Sequence, residues 1–105
     1  MGNALQAASE RGHDQVVQML LDKGADVNAQ GADVNAQGGE YGNALQAASE
    51  RGHDQVVQML LDKGADVNAQ GGEYGNALQA ASEEGHDQVV RMLLDKGADV
   101  NAQGE

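Results

Sequence analysis

Apolar residues along the chain fall into short clusters at helical spacing. Val56, Val57, Met59, Leu60 and Leu61, placed at about 100° per residue, spread over an arc of roughly 200°. Gln55, Gln58 and Asp62 fill the remainder, so this helix has one polar edge and two apolar flanks and suits a neighbour on each side. Asp54 stands at the expected N-cap and Gly64 follows Lys63 as a stop, which gives about nine residues. The segment before it reads as a shorter helix capped by Asn43, with a narrow face of Leu45, Ala47 and Ala48, and ended by Gly52. The same pattern occurs on either side, so helices are expected near 4–11, 15–23, 44–51, 55–63, 77–84 and 88–96. All are shorter than the roughly 12 to 15 residues at which an isolated helix becomes even marginal in water. Stacking must hold them.

The recurrence is nearly literal. GNALQAASERGHDQVVQMLLDKGADVNAQ starts at Gly2, returns unchanged from Gly42, and returns from Gly75 with Glu84 in place of Arg51 and Arg91 in place of Gln58. The chain is one repeat domain, 1–105, of three units, 2–41, 42–74 and 75–105. The second and third copies are 33 residues apart and the first and second 40, because GADVNAQ occurs twice in tandem in the first connector, at 24–30 and 31–37. A period of 33 marks a stacked array. The connector GADVNAQGGEYG has one clear apolar anchor, Val67, and a turn signal at Gly71-Gly72, and reads as a projecting hairpin-like loop.

This order of helix, tight turn, helix and Gly-rich loop resembles the ankyrin repeat over essentially the whole chain. Gly52-His53, Val56-Val57, Leu60-Leu61 and Gly64-Ala65-Asp66-Val67-Asn68-Ala69 are similar to that family's GH..VV..LL..GADVNA core. The family's Thr-Pro-Leu-His is replaced here by Asn43-Ala44-Leu45-Gln46; Asn can take over the cap, and Gln46 can supply polar contacts where the His would sit. The resemblance implies an all-α solenoid of helix-turn-helix units with projecting loops. It also implies a protein partner held by loop tips and the exposed side of the first helices. Carried onto this chain, that surface is Gln37, Glu40, Tyr41, Glu50, Arg51, Gln70, Glu73, Tyr74, Glu83 and Glu84. Tyr41 and Tyr74, the only aromatics, either cover the joints between units or serve as large, low-entropy contacts.

Composition taken alone argues against a fold. Leu and Val make up 19 of 105 residues with no Ile or Phe, and so few large aliphatics with high net charge is a signature of disorder. The repeats override it, with 17 alanines implying a thin core of close helix contacts. A net charge of −11 argues against nucleic acid and against anionic membrane surfaces as partners. Without cysteine there is no disulfide framework or thiolate chemistry. No apolar run approaches the ~20 residues of a spanning helix, and Met1-Gly2-Asn3 opens no signal peptide, so a cytoplasmic location is expected.

Enzyme and cofactor chemistry is not expected. His13, His53 and His86 recur once per unit, but stacked layers about 8 to 10 Å apart cannot share a zinc ion at about 2.0 Å, so each ring is expected to hydrogen-bond a neighbouring loop. Asp26, Asn28 and Gln30 faintly resemble a calcium loop, yet position twelve is Gln37 instead of a bidentate Glu; they read as turn holders. Ser9, Ser49 and Ser82 lie inside the small-residue face of the first helix, and no nucleophile elbow or phosphate loop is present.

A face that recognises one partner needs different residues in different units, and here the units are almost identical, as in a recent duplication or a consensus array. A self-assembling or structural array, or a polyvalent binder of a repetitive ligand, therefore stands as the alternative. Both end units are of internal type, whereas stacked arrays end in polar caps. Val16, Val17 and Leu20 at one end and Met92 and Leu93 at the other are expected to lack a neighbour, which implies end-to-end homo-association. The surplus heptad, 31–37, is expected to bulge while both joints stack alike.

Overall fold

The computed structural model describes residues 3–29, 42–71 and 75–101. It contains α1 (Ala4–Glu10), α2 (Asp14–Asp22), α3 (Ala44–Arg51), α4 (Asp54–Asp62), α5 (Ala77–Glu83) and α6 (Asp87–Asp95). Among the described residues there is no strand; Gly71 and Gly75 form one isolated antiparallel bridge at the base of the second connector. The surplus heptad lies outside the described residues.

Local chemistry fixes each element. Asn43 Oδ1 accepts from the Gln46 backbone N–H at 2.9 Å, and Gln46 Oε1 accepts from the Asn43 N–H at 2.8 Å. This is a reciprocal capping box with Asn and Gln in its two places. Gly52 adopts φ +73°, and the His53 N–H reaches back to the Ala48 carbonyl at 3.0 Å, closing the helix with a left-handed turn that a Cβ would disfavour. The second helices begin one residue earlier than expected. His53, not Asp54, occupies the cap position and makes no capping bond with its side chain, so Asp54 is the first helical residue, where its charge complements the helix dipole.

The helices form two rows. α1, α3 and α5 lie side by side and account for the most extensive contacts between repeats, while α2, α4 and α6 each pack on their own partner and touch their neighbours more sparsely. Both joints are alike in these contacts. The core runs continuously through Leu5, Leu45, Val17, Val57, Val56, Leu60, Val89 and Leu93. Alanines line the joints: Ala44, Ala47, Ala48, Ala77, Ala80 and Ala81 are all buried, which lets neighbouring first helices approach closely. Of the expected core, Leu45, Ala48, Val56, Val57, Leu60 and Leu61 are buried and Val67 is half-buried.

Identical side chains differ in burial with their place in the stack. Ala44, Ala47, Val56 and Leu60 of the second repeat, and Ala77, Ala80, Val89 and Leu93 of the third, are covered by the repeat before them. Their counterparts Ala4, Ala7 and Val16 are exposed, and Leu20 is half-buried. On the opposite flank Ser9 and Ser49, Val17 and Val57, and Leu21 and Leu61 are buried, whereas Ser82 and Leu94 are exposed and Val90 is half-buried. Val17 and Leu93, expected at open ends, therefore belong to the core, because each faces the repeat that is present. Ser82, expected inside a helix face, is at the surface for the converse reason.

Candidate partner-binding surface

Of the residues expected to meet a partner, Glu50, Arg51, Gln70, Glu83 and Glu84 are described; Gln37, Glu40, Tyr41, Glu73 and Tyr74 lie outside the described residues. Glu50 and Arg51 end α3, Glu83 ends α5 and Glu84 follows it. Arg51, Glu83 and Glu84 are exposed and Glu50 is half-buried. The row is tied across the first joint by an ion pair, Arg51 Nη2 to Glu10 Oε2 at 3.0 Å. With half of the Arg51 side chain in solvent, such a pair contributes between about 0 and 1 kcal/mol.

Gln70 belongs to a second group at the other end of α3. The Gln46 side-chain N–H groups reach the carbonyls of Ala69 and Gly71 at 3.0 Å each and of Gly75 at 3.2 Å. Gln46 thus holds both sides of Gln70 and the base of the loop to the start of α3. Five residues separate Gln46 from Arg51, about 7.5 Å of helix. Between them only Glu50 is left to a partner, because every residue from Ala44 to Ser49 is buried. The exposed side of the first helices is thereby reduced, in the middle repeat, to its C-terminal end.

The supports of this surface were partly hidden in the sequence. His53 Nε2 donates to the Glu10 carbonyl and His86 Nε2 to the Glu50 carbonyl, both at 2.9 Å, so each ring grips the end of the preceding first helix instead of a loop. Asn28 and Asn68 are more than turn holders. Their backbone N–H groups do make the expected turn contacts, donating to the Asp26 and Asp66 carboxylates at 3.0 Å, but their side chains cross to the next repeat. Asn28 Oδ1 accepts from the Asp66 N–H at 2.7 Å, and Asn68 Oδ1 from the Asp99 N–H at 2.8 Å. The available signal was an Asn at the same place in every copy. Gln18 and Gln58 instead bond along their own helices, to Asp22 and Asp62 at 2.9 Å, leaving the second helices a polar outer face.

These features define a class: an all-α solenoid of stacked helical hairpins, locked joint by joint through His, Asn and small-residue contacts. The family model described as ankyrin repeats (3 copies) matches residues 29–104, and that of the single ankyrin repeat matches residues 3–32. The chain belongs to the ankyrin repeat family. It is also similar to azaphilone pigments biosynthesis cluster protein L of Monascus ruber, with 81% identity over 26 residues, 25% of this chain and 6% of that protein. That stretch is shorter than one 33-residue period. No helix among the described residues is long and apolar enough to cross a membrane.

Proposed function

We propose that the chain is a non-catalytic protein-interaction scaffold, a single array of three units that holds its partner at the loop tips and the C-terminal ends of the first helices. Ankyrin repeats are generally protein-interaction modules and typically non-catalytic, which supports the general statement. The observation that carries the specific reading is the row Glu50, Arg51, Glu83 and Glu84, presented by helix ends that the histidine bonds fix in register. Gln70, set by Gln46, extends the surface to the loops, where Gln37, Glu40, Tyr41, Glu73 and Tyr74 would complete it. Three carboxylates and one guanidinium on a chain of charge −11 favour a partner with a basic face, whose approach such a field accelerates.

Affinity capture with the whole chain, compared with a variant carrying Glu50→Ala, Gln70→Ala, Glu83→Ala and Glu84→Ala, tests the reading. The expected outcome is a protein retained by the parent and lost by the variant, with unchanged helical circular dichroism in both. Equal retention by both would move the site elsewhere, and no retained protein at all would refute the scaffold.

A further inference from the structure

The two ends of the described structure are the two halves of one interface. At each internal joint Ala44, Ala47, Val56 and Leu60, or Ala77, Ala80, Val89 and Leu93, press on a surface built from Leu5, Ser9, Val17 and Leu21, or Leu45, Ser49, Val57 and Leu61. The first face recurs, uncovered, as Ala4, Ala7, Val16 and Leu20, and the second as Leu78, Ser82, Val90 and Leu94. Val16 is 44% and Leu94 41% exposed, against 0% for Val56 and 7% for Leu61 at the same places in the second repeat. Ser82, Gly85, Asp87, Val90, Arg91 and Leu94 border an open groove of about 410 Å³, at the positions that in the second repeat receive the third.

We propose that this chain associates head to tail with a second copy of itself, the α1–α2 face of one copy seating on the α5–α6 face of another as a further ankyrin joint. Three polar features match besides the apolar ones. A Cβ at Gly12 or Gly52 would meet the His53 or His86 ring at 2.7 Å, whereas nothing lies within 4 Å of one at Gly85. Gly85 is the seat for an exposed His13 of the next copy, whose Nε2 donates to the Glu83 carbonyl as His53 does to that of Glu10. Asn101, exposed, stands where Asn28 and Asn68 reach the next repeat, and meets the Gly24 carbonyl and Asp26 N–H. Arg11 and Glu83 of adjoining copies reproduce the Arg51–Glu10 pair, while the second internal joint has Glu84 and Glu50 at those places. The joint is heterologous and does not close on itself, so it generates an open series of oligomers. It uses the end faces and shares with the scaffold surface only Glu83 at the end of α5; Val16 and Leu94, which the test below alters, belong to the end faces alone.

Sedimentation velocity of the whole chain across a concentration range in high salt, where repulsion between chains of charge −11 is screened, tests the proposal with two blocked variants. Val16→Lys and Leu94→Lys alter side chains exposed in the single chain, and circular dichroism checks that each is folded. The parent should form a ladder of increasing mass. Each variant alone should stay monomeric, and an equimolar mixture should form a one-to-one dimer and nothing larger, because one copy keeps the first face and the other keeps the second. His13→Ala should weaken the parent ladder by about threefold to tenfold, the weight of one lost hydrogen bond. A parent monomeric at millimolar concentration would overturn the proposal. So would a single blocked variant that still dimerises, which signals a face pairing with itself, or a mixture that remains monomeric.

Discussion

The middle repeat and the outer two are built from almost the same residues, yet they are different physical objects. Val56 is fully buried and Val16 is 44% exposed; Leu61 is buried and Leu94 is not. Every residue of α3 from Ala44 to Ser49 is out of solvent, whereas Ala4 and Ala7 of α1 and Ser82 of α5 are exposed. In a stacked array burial belongs to position in the stack, so one substitution has three different costs according to the copy in which it is made.

Matched substitutions turn that contrast into numbers, each read by chemical denaturation at low protein concentration. Leu60→Ala removes a fully buried side chain and should cost about 3 to 4 kcal/mol, against about 1 to 2 kcal/mol for Leu20→Ala in the half-buried copy; equal losses would break the comparison. Gln46→Ala deletes the two N–H donors that three carbonyls share and half of a capping box and should cost about 2 to 3 kcal/mol. Gln79→Ala, at a half-buried site, should cost under about 1 kcal/mol.

Gly52→Ala and Gly85→Ala separate backbone from contact, since φ is +73° and +74°. Both carry about 1 kcal/mol of left-handed strain. Only Gly52→Ala drives a methyl into the His86 ring, which adds about 1 to 3 kcal/mol. His53→Ala should lose about 1 kcal/mol through its bond to the Glu10 carbonyl, and His13→Ala close to nothing. Arg51→Ala should likewise stay within about 0.5 kcal/mol at 150 mM salt, because its ion pair is exposed.

Much of the fold could be read from the chain because its signals are local. The apolar arc of Val56 to Leu61, the Asn43 cap and the glycine stops lie within a few residues of what they control, and six helices appear within one residue of the expected bounds. What could not be read depends on a neighbouring repeat. A helical wheel does not tell Val57 from Val90, or Ser49 from Ser82, since the pairs share their apolar pattern, with Arg91 for Gln58 and Glu84 for Arg51 the only nearby changes, and their burial differs with the presence of a repeat on the far side. The one-residue advance of the second helices is different in kind, because α2 starts at Asp14 after a non-capping His13 with no repeat before it, just as α4 starts at Asp54 after His53, so it belongs to the local backbone and not to the neighbour. At the candidate surface Arg51, Glu83 and Glu84 are exposed and Glu50 is half-buried, and the burial of the rest of α3 follows from helices on both its sides.

The asparagine bridges have a geometric consequence. Asn28 to Asp66 and Asn68 to Asp99 are the same link, 2.7 and 2.8 Å long, made at successive joints whose helix contacts are also alike, so the array repeats one kind of step. Composing one rigid step with itself generates a superhelix whose pitch and radius are set entirely by that step. A tilt of a few degrees at one bridge is a minor local event in three repeats. In a long tract of the same unit it accumulates with every step, so the bend of the whole spiral responds to the geometry of one small bridge.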